Sequence, residues 1–145
     1  MTSFDQQWKK NVKLLEAAQE AAIVEAATAV LARAIDLTPV GRPSLWVSSP
    51  PPGYTPGSLR SAWEINYGQG FQQVSNGRNF SSKLVAMANK KAYKLGSDII
   101  IRNQTPYAYR VEYGWSTRQA PQGMLRVSAM KFPSFVDKAT KKHKV

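Results

Sequence analysis

Phe4, Trp8, Val12 and Leu15, followed by Ile23, Ala27, Val30 and Ala34, recur at helical spacing, while Lys9, Lys13, Glu16, Glu20 and Arg33 fill the polar face. This period predicts an amphipathic helix over residues 4–36. Ser3 and Gln6 supply a capping box at its start, and Thr38-Pro39 ends it. At about 1.5 Å per residue the helix is about 50 Å long, more than a domain of this size is wide. Either it bends, or part of it lies against another subunit. The alanine-rich middle, with Ala17, Ala18, Ala21, Ala22 and Ala26, permits close helix approach and favours the second option. A helix that crosses only its own sheet is the alternative.

The pattern then breaks. Residues 40–57 hold "GRPSLWVSSPPPGYTPG", five prolines with Trp46 and Tyr54 between them. This reads as a long extended loop or arm, with Trp46 and Tyr54 as candidates for contact with a neighbouring subunit. A loop folded back on its own core is the plainer reading.

Alternation returns at Trp63, Ile65 and Tyr67, a strand with "GFQQV" as its hairpin partner. Residues 76–82 read as a turn. "SKLVAMANKKAYKLG" predicts a short helix with Leu84, Ala88 and Leu95 on one side and Lys90, Lys91 and Lys94 near the other, closed by Gly96. The isoleucines of "SDIIIRN" predict a strand buried on both faces. Thr105 as cap, Pro106 at the first helical position and Gly114 as stop predict about two helical turns. Tyr107, Ala108 and Val111 share the inner side of those turns, leaving Tyr109 and Tyr113 paired on the outside. "MLRVSA" reads as a strand, from the alternation of Leu125, Val127 and Ala129, and Pro133 opens a last helix striped by Phe135, Val136 and Ala139. The sum is a single α+β domain over residues 1–145. A long helix packs on a small, mostly antiparallel sheet with two short helices (58–129), and a C-terminal helix with a basic tail (130–145) follows.

Composition agrees with one folded domain: 145 residues, 43% hydrophobic and 20% charged. There is no cysteine, so no disulfide framework and no thiolate zinc site. The opening "MTSFDQQWKKNVKLL" lacks the pattern of a secretory leader, and charges interrupt the apolar run from Leu14 to Ile35, so a soluble protein without a membrane partner is expected. Charge is divided unevenly. Residues 1–82 carry 7 basic and 6 acidic side chains, a net of +1, and residues 83–145 carry 13 and 3, a net of +10. The C-terminal part therefore suits a polyanion, with Lys90, Lys91, Lys94, Lys138, Lys141 and Lys142 as candidate DNA-facing residues. Basic residues of this kind also serve simply as a solubilising surface.

Candidate chemistry is sparse. His143, the single histidine, lies in a lysine-rich end and reads as a solvated tail residue rather than a metal ligand or base. No phosphate loop follows the glycines, and no base accompanies the serines. Glu112 with Arg110, Arg118 and the tyrosines could serve a metal-independent nuclease, but the tyrosine spacing is that of packing. Glu112 reads as a structural acid tied to an arginine such as Arg118 or one from a neighbour. No enzyme, cofactor or metal is expected.

The segments "TPV", "GSLRSAW" and "IIIRNQTPYAYRVEYGWSTRQAPQGMLRVS", with a last short helix, resemble the tail-completion, or minor tail (Z-like), proteins of long-tailed bacteriophages. The resemblance spans Thr38 to Lys142 and is densest over Tyr107 to Met124. Its compact Val-Asp-Thr-Gly turn is replaced here by the arm at 40–57. What the resemblance implies is a structural virion protein of the neck or tail, assembled in the host cytoplasm. Such a subunit belongs to a ring, sixfold by family expectation, around the channel for double-stranded DNA. It contacts neighbouring neck and tail proteins such as head-closure and tail-terminator proteins, and touches DNA without sequence preference. On this reading Trp46, Tyr54, Tyr109, Tyr113 and Trp115 face subunits or partners, while Glu112, Gly114, Pro121 and Gly123 hold the local structure. The alternative is a sequence-indifferent nucleic-acid-binding protein or small nuclease unrelated to virions.

Overall fold

In the computed structural model, residues 3–39, 58–68, 70–73, 93–106, 108–114 and 122–143 are described. Ser3 opens the first helix, α1 (Phe4–Leu37), with its hydroxyl accepting from the Gln6 N–H while the Gln6 side chain accepts from the Ser3 N–H. The predicted capping box is therefore formed. The helix is 34 residues long, so it extends about 51 Å.

Only its second half belongs to the core. Ala22, Val24, Ala26, Ala27, Thr28, Val30, Leu31, Ala34 and Ile35 are buried, whereas residues 3–17 are exposed except for half-buried Val12. A short turn of helix, α2 (Ser58–Ser61), then leads into a three-stranded antiparallel sheet. Its strands are β1 (Trp63–Asn66), β2 (Phe71–Gln73) and β3 (Ile100–Asn103), in the order β2-β1-β3. The β1–β2 hairpin has the predicted partners, and the Asn66 side chain closes it by accepting from the N–H groups of Gly68 and Gly70. Both glycines have the positive φ that such a reversal needs.

β1 is the spine of the sheet. Trp63, Ile65 and Tyr67 are buried with Leu31, Ala34, Ile35 and Leu59, while Glu64 on the other face pairs with Arg102 of β3 at 2.6 Å. The Arg102 guanidinium also lies over the Phe71 ring, 3.4 Å from its centroid, joining all three strands. Two hydroxyls, one in α1 and one at its C-cap, bind the aromatics of this face. The Thr28 hydroxyl donates to the Val24 carbonyl and contacts the Tyr67 hydroxyl at 2.7 Å. Thr38 accepts the indole N–H of Trp63 at 2.8 Å and donates to the Ala34 carbonyl. Burial pushes the Tyr67 phenol up, and the Thr28 bond only partly offsets it.

Three short helices complete the described chain: α3 (Ala108–Glu112), α4 (Leu125–Ala129) and α5 (Phe132–His143). α5 packs along α1, with Ala139 buried, and its C-terminal end is fastened to Glu25 of α1.

Four expectations change. β3 is not buried on both faces: it pairs only with β1 among the described residues, Ile99 and Ile101 are partly buried, and Ile100 is 47% exposed. "MLRVSA" is a helix, not a strand. Its buried positions are Met124 and Ser128, four apart, so the alternation of Leu125, Val127 and Ala129 loses to tertiary packing. α3 begins at Ala108, since Thr105 and Pro106 form a turn in which the Ala108 N–H reaches the Thr105 carbonyl. Leu95 and Lys94 lie in an exposed turn before β3 rather than on a helix, with Tyr93 as the buried side chain and Gly96 at φ +88°. The rest of that predicted helix, and the arm at 40–57, lie outside the described residues.

Candidate interaction surfaces

Three surfaces collect the residues singled out in the sequence. The first is the free half of α1. Phe4 is 80% exposed and Trp8 60% exposed, with Leu14 and Leu15 also open to solvent. The rings of Phe4 and Trp8 stack, their centroids 6.4 Å apart. Four large apolar side chains on one unsupported helical segment are more than solitary exposed residues require, and such patches mark contact surfaces. The sequence had shown the stripe; it had not shown that the core stops short of it.

The second surface is built around Glu112, at the end of α3. Ala108 and Val111 turn inward into the core beside Met124, which leaves Tyr109 and Tyr113 outside. Their rings are 4.5 Å apart, and the Arg126 guanidinium lies 4.1 Å above the Tyr113 ring. The Glu112 carboxylate accepts from the backbone N–H groups of Met124, Leu125 and Arg126, each at 2.8 Å, and from the Arg126 side chain at 3.2 Å. Those N–H groups open α4 and have no partner within the helix, so a carboxylate twelve residues upstream caps it. Burial pushes the Glu112 carboxyl up, but these donors outweigh it and hold its pKa below the ordinary value.

Glu112 therefore caps α4, and among the described residues its arginine is Arg126 of the same chain. Arg118 lies outside the described residues. Gly123 makes the junction possible. Its φ is +92°, and a Cβ there would collide with the Glu112 carbonyl oxygen and stand 3.0 Å from Oε1. Gly114, at φ +94°, ends α3 as anticipated. Trp46, Tyr54, Trp115 and Pro121 lie outside the described residues.

The third surface is basic. Lys138 and Lys141 are exposed, three residues apart, away from the buried Ala139 side of α5. Lys142 is different: its ammonium is 2.6 Å from Glu25, and His143 Nε2 approaches the other Glu25 oxygen at 2.9 Å. Burial pushes the Glu25 carboxyl up, but the bonds from Lys142 and His143 prevail and lower its pKa. His143 is therefore half-buried against α1, and Lys142, still exposed, is paired within its own chain. Exposed Lys94 is carried by the turn before β3, on a separate element, while Lys90 and Lys91 lie outside the described residues.

Among the described residues, no cluster of His, Cys, Asp or Glu is placed to hold a metal ion, and no helix is long and apolar enough to cross a membrane. No family model matches the sequence, and comparison with curated proteins and with solved structures finds no match.

Proposed function

We propose that this chain is a structural subunit of a long-tailed phage neck, completing the head-proximal end of the tail so that tail and capsid can join. The observation that carries the assembly role is the free half of α1, where Phe4, Trp8 and Leu15 are exposed on a segment that adds little to its own core. The exposed Tyr109–Tyr113 pair, braced by Arg126, adds a second apolar contact surface. The resemblance over Thr38 to Lys142 supplies the kind of assembly. A ring around the DNA channel is the family's arrangement, and Lys138 and Lys141 on the outer side of α5 suit a phosphate-lined or acidic neighbour.

The mechanism is mechanical. A rigid body formed by the sheet and the inner half of α1 holds projecting side chains in fixed positions, and neighbouring subunits bury them. Complementation tests it in a phage that encodes this chain. Loss of the gene is expected to leave separate filled heads and tails, wild-type chain to restore joined particles, and Trp8→Ser/Leu15→Ser to restore few. Joined, infectious particles without the gene would overturn the proposal. Cleavage of DNA or RNA by the purified chain, abolished by Glu112→Gln, would favour a nuclease instead.

A further inference from the structure

The exposed stripe of α1 carries information about its occupant in the charges beside it. At 3.6 residues per turn, Phe4, Trp8, Val12 and Leu15 fall within an arc of about 80°. The stripe runs on into Ala22, Ala26 and Val30, which are buried in the body of the protein. Lys9, Lys13, Glu16 and Glu20 all lie along one flank of it. The other flank holds Gln7, Asn11, Leu14 and Ala18, without charge.

Asp5 begins the same flank and is paired with Lys9 of its own chain; beyond it the order decides the geometry, two lysines and then two glutamates. In an antiparallel pair of identical helices, each flank meets the same flank of its partner, read in the opposite direction. Lysines of one copy then face glutamates of the other at both ends. A parallel pair would set the charged flank against the neutral one and gain nothing.

We infer that free chains pair through the N-terminal halves of α1, antiparallel and centred between Val12 and Leu15. Val12 of one copy packs on Leu15 of the other, and Trp8 lies over Gln19. Phe4 abuts the body of the other copy, which begins at buried Ala22 and includes Glu25, where the end of α5 is fastened. With that centre the exposed segments overlap over residues 6–21, about 24 Å, enough for several layers of side chains. Lys9 already has an exposed partner in Asp5 at 3.1 Å, a contact weak enough to exchange for an intermolecular one.

Such a pair is isologous and closes on itself, so it cannot extend into a ring. It covers the stripe while the chain is free, and any heterologous assembly through the same stripe must first open it. The inference stands whether or not the assembly is a phage neck.

Sedimentation or light scattering of the full chain tests it with a charge swap. The wild type is expected to be a dimer at about 100 μM. Lys9→Glu/Lys13→Glu and Glu16→Lys/Glu20→Lys should each weaken dimerisation by about tenfold or more, since like charges then meet at both ends. Mixing the two variants in equal amounts should restore a dimer containing one of each. All four positions lie on the exposed or half-exposed part of α1, so both variants should keep the wild-type circular dichroism and melting temperature. A monomeric wild type would overturn the inference and leave the stripe to a different protein. A dimer indifferent to both reversals, or a mixture that fails to recombine, would also overturn it.

Discussion

The indole N–H of Trp63 donates to the hydroxyl of Thr38 at 2.8 Å, joining the last residue of the α1 capping structure to the first residue of the central strand. Both side chains are buried, and the Thr38 hydroxyl in turn donates to the Ala34 carbonyl. Thr38→Val keeps the shape and removes the acceptor, stranding a buried indole N–H. The expected loss is about 1–3 kcal/mol. Adding Trp63→Phe to that variant should cost less than Trp63→Phe costs in the wild type, because the donor is then already unpaired. Urea unfolding of the four-protein cycle measures both.

Glu112→Ala leaves three backbone N–H groups at the start of α4 without their acceptor, and it should destabilise the protein by about 2–3 kcal/mol. Glu112→Gln retains some of these bonds and should lose less.

Acid should expose the same carboxylate. The folded-state pKa of Glu112 lies below its unfolded value of about 4.3, so the unfolded chain binds the extra proton between the two. Its contribution is fully present above the unfolded pKa and disappears as pH falls through the folded one. Glu25 behaves with the same sign. Melting temperature followed from pH 6 to 2 should fall less steeply in Glu112→Gln than in the wild type.

Gly123→Ala meets a double obstacle, a positive φ and the Glu112 carbonyl, and should cost about 2 kcal/mol or more. Gly68→Ala has the same sign of φ but no neighbour within 4 Å, so its cost should be the smaller of the two. Thermal unfolding separates the steric from the conformational contribution.

If α5 faces DNA, Lys138→Glu/Lys141→Glu should weaken binding to duplex DNA and flatten its salt dependence by about 0.9 in log-log slope per lost contact. Lys142→Ala should do less to DNA binding, because its ammonium is held by Glu25. Affinity that stays flat with salt in the wild type would point to an acidic protein neighbour instead.

The long helix was legible because its period is sustained and its cap is written in Ser3 and Gln6. The β1–β2 hairpin was legible from Trp63, Ile65 and Tyr67 with glycines after them. α4 was misread because its helical start depends on Glu112, distant in sequence, and no local cap announces it. For the same reason the arginine partner of Glu112 could not be chosen from the sequence: Arg126 is in reach only once residues 125–129 coil. The exposure of Phe4 and Trp8 was hidden in another way. Helical spacing identifies an apolar face, but not the point along the helix where the covering elements end. Likewise, a lysine run near the C-terminus could not reveal that Lys142 and His143 turn back onto Glu25.

The proposed role makes this protein a structural part of a tailed particle. Counting it by quantitative mass spectrometry in purified particles of a phage that encodes it is the most direct test. Several copies per particle are expected, present in joined particles and in a fixed ratio to the neck proteins. Joined, infectious particles that contain none of it would rule out a structural role in the particle.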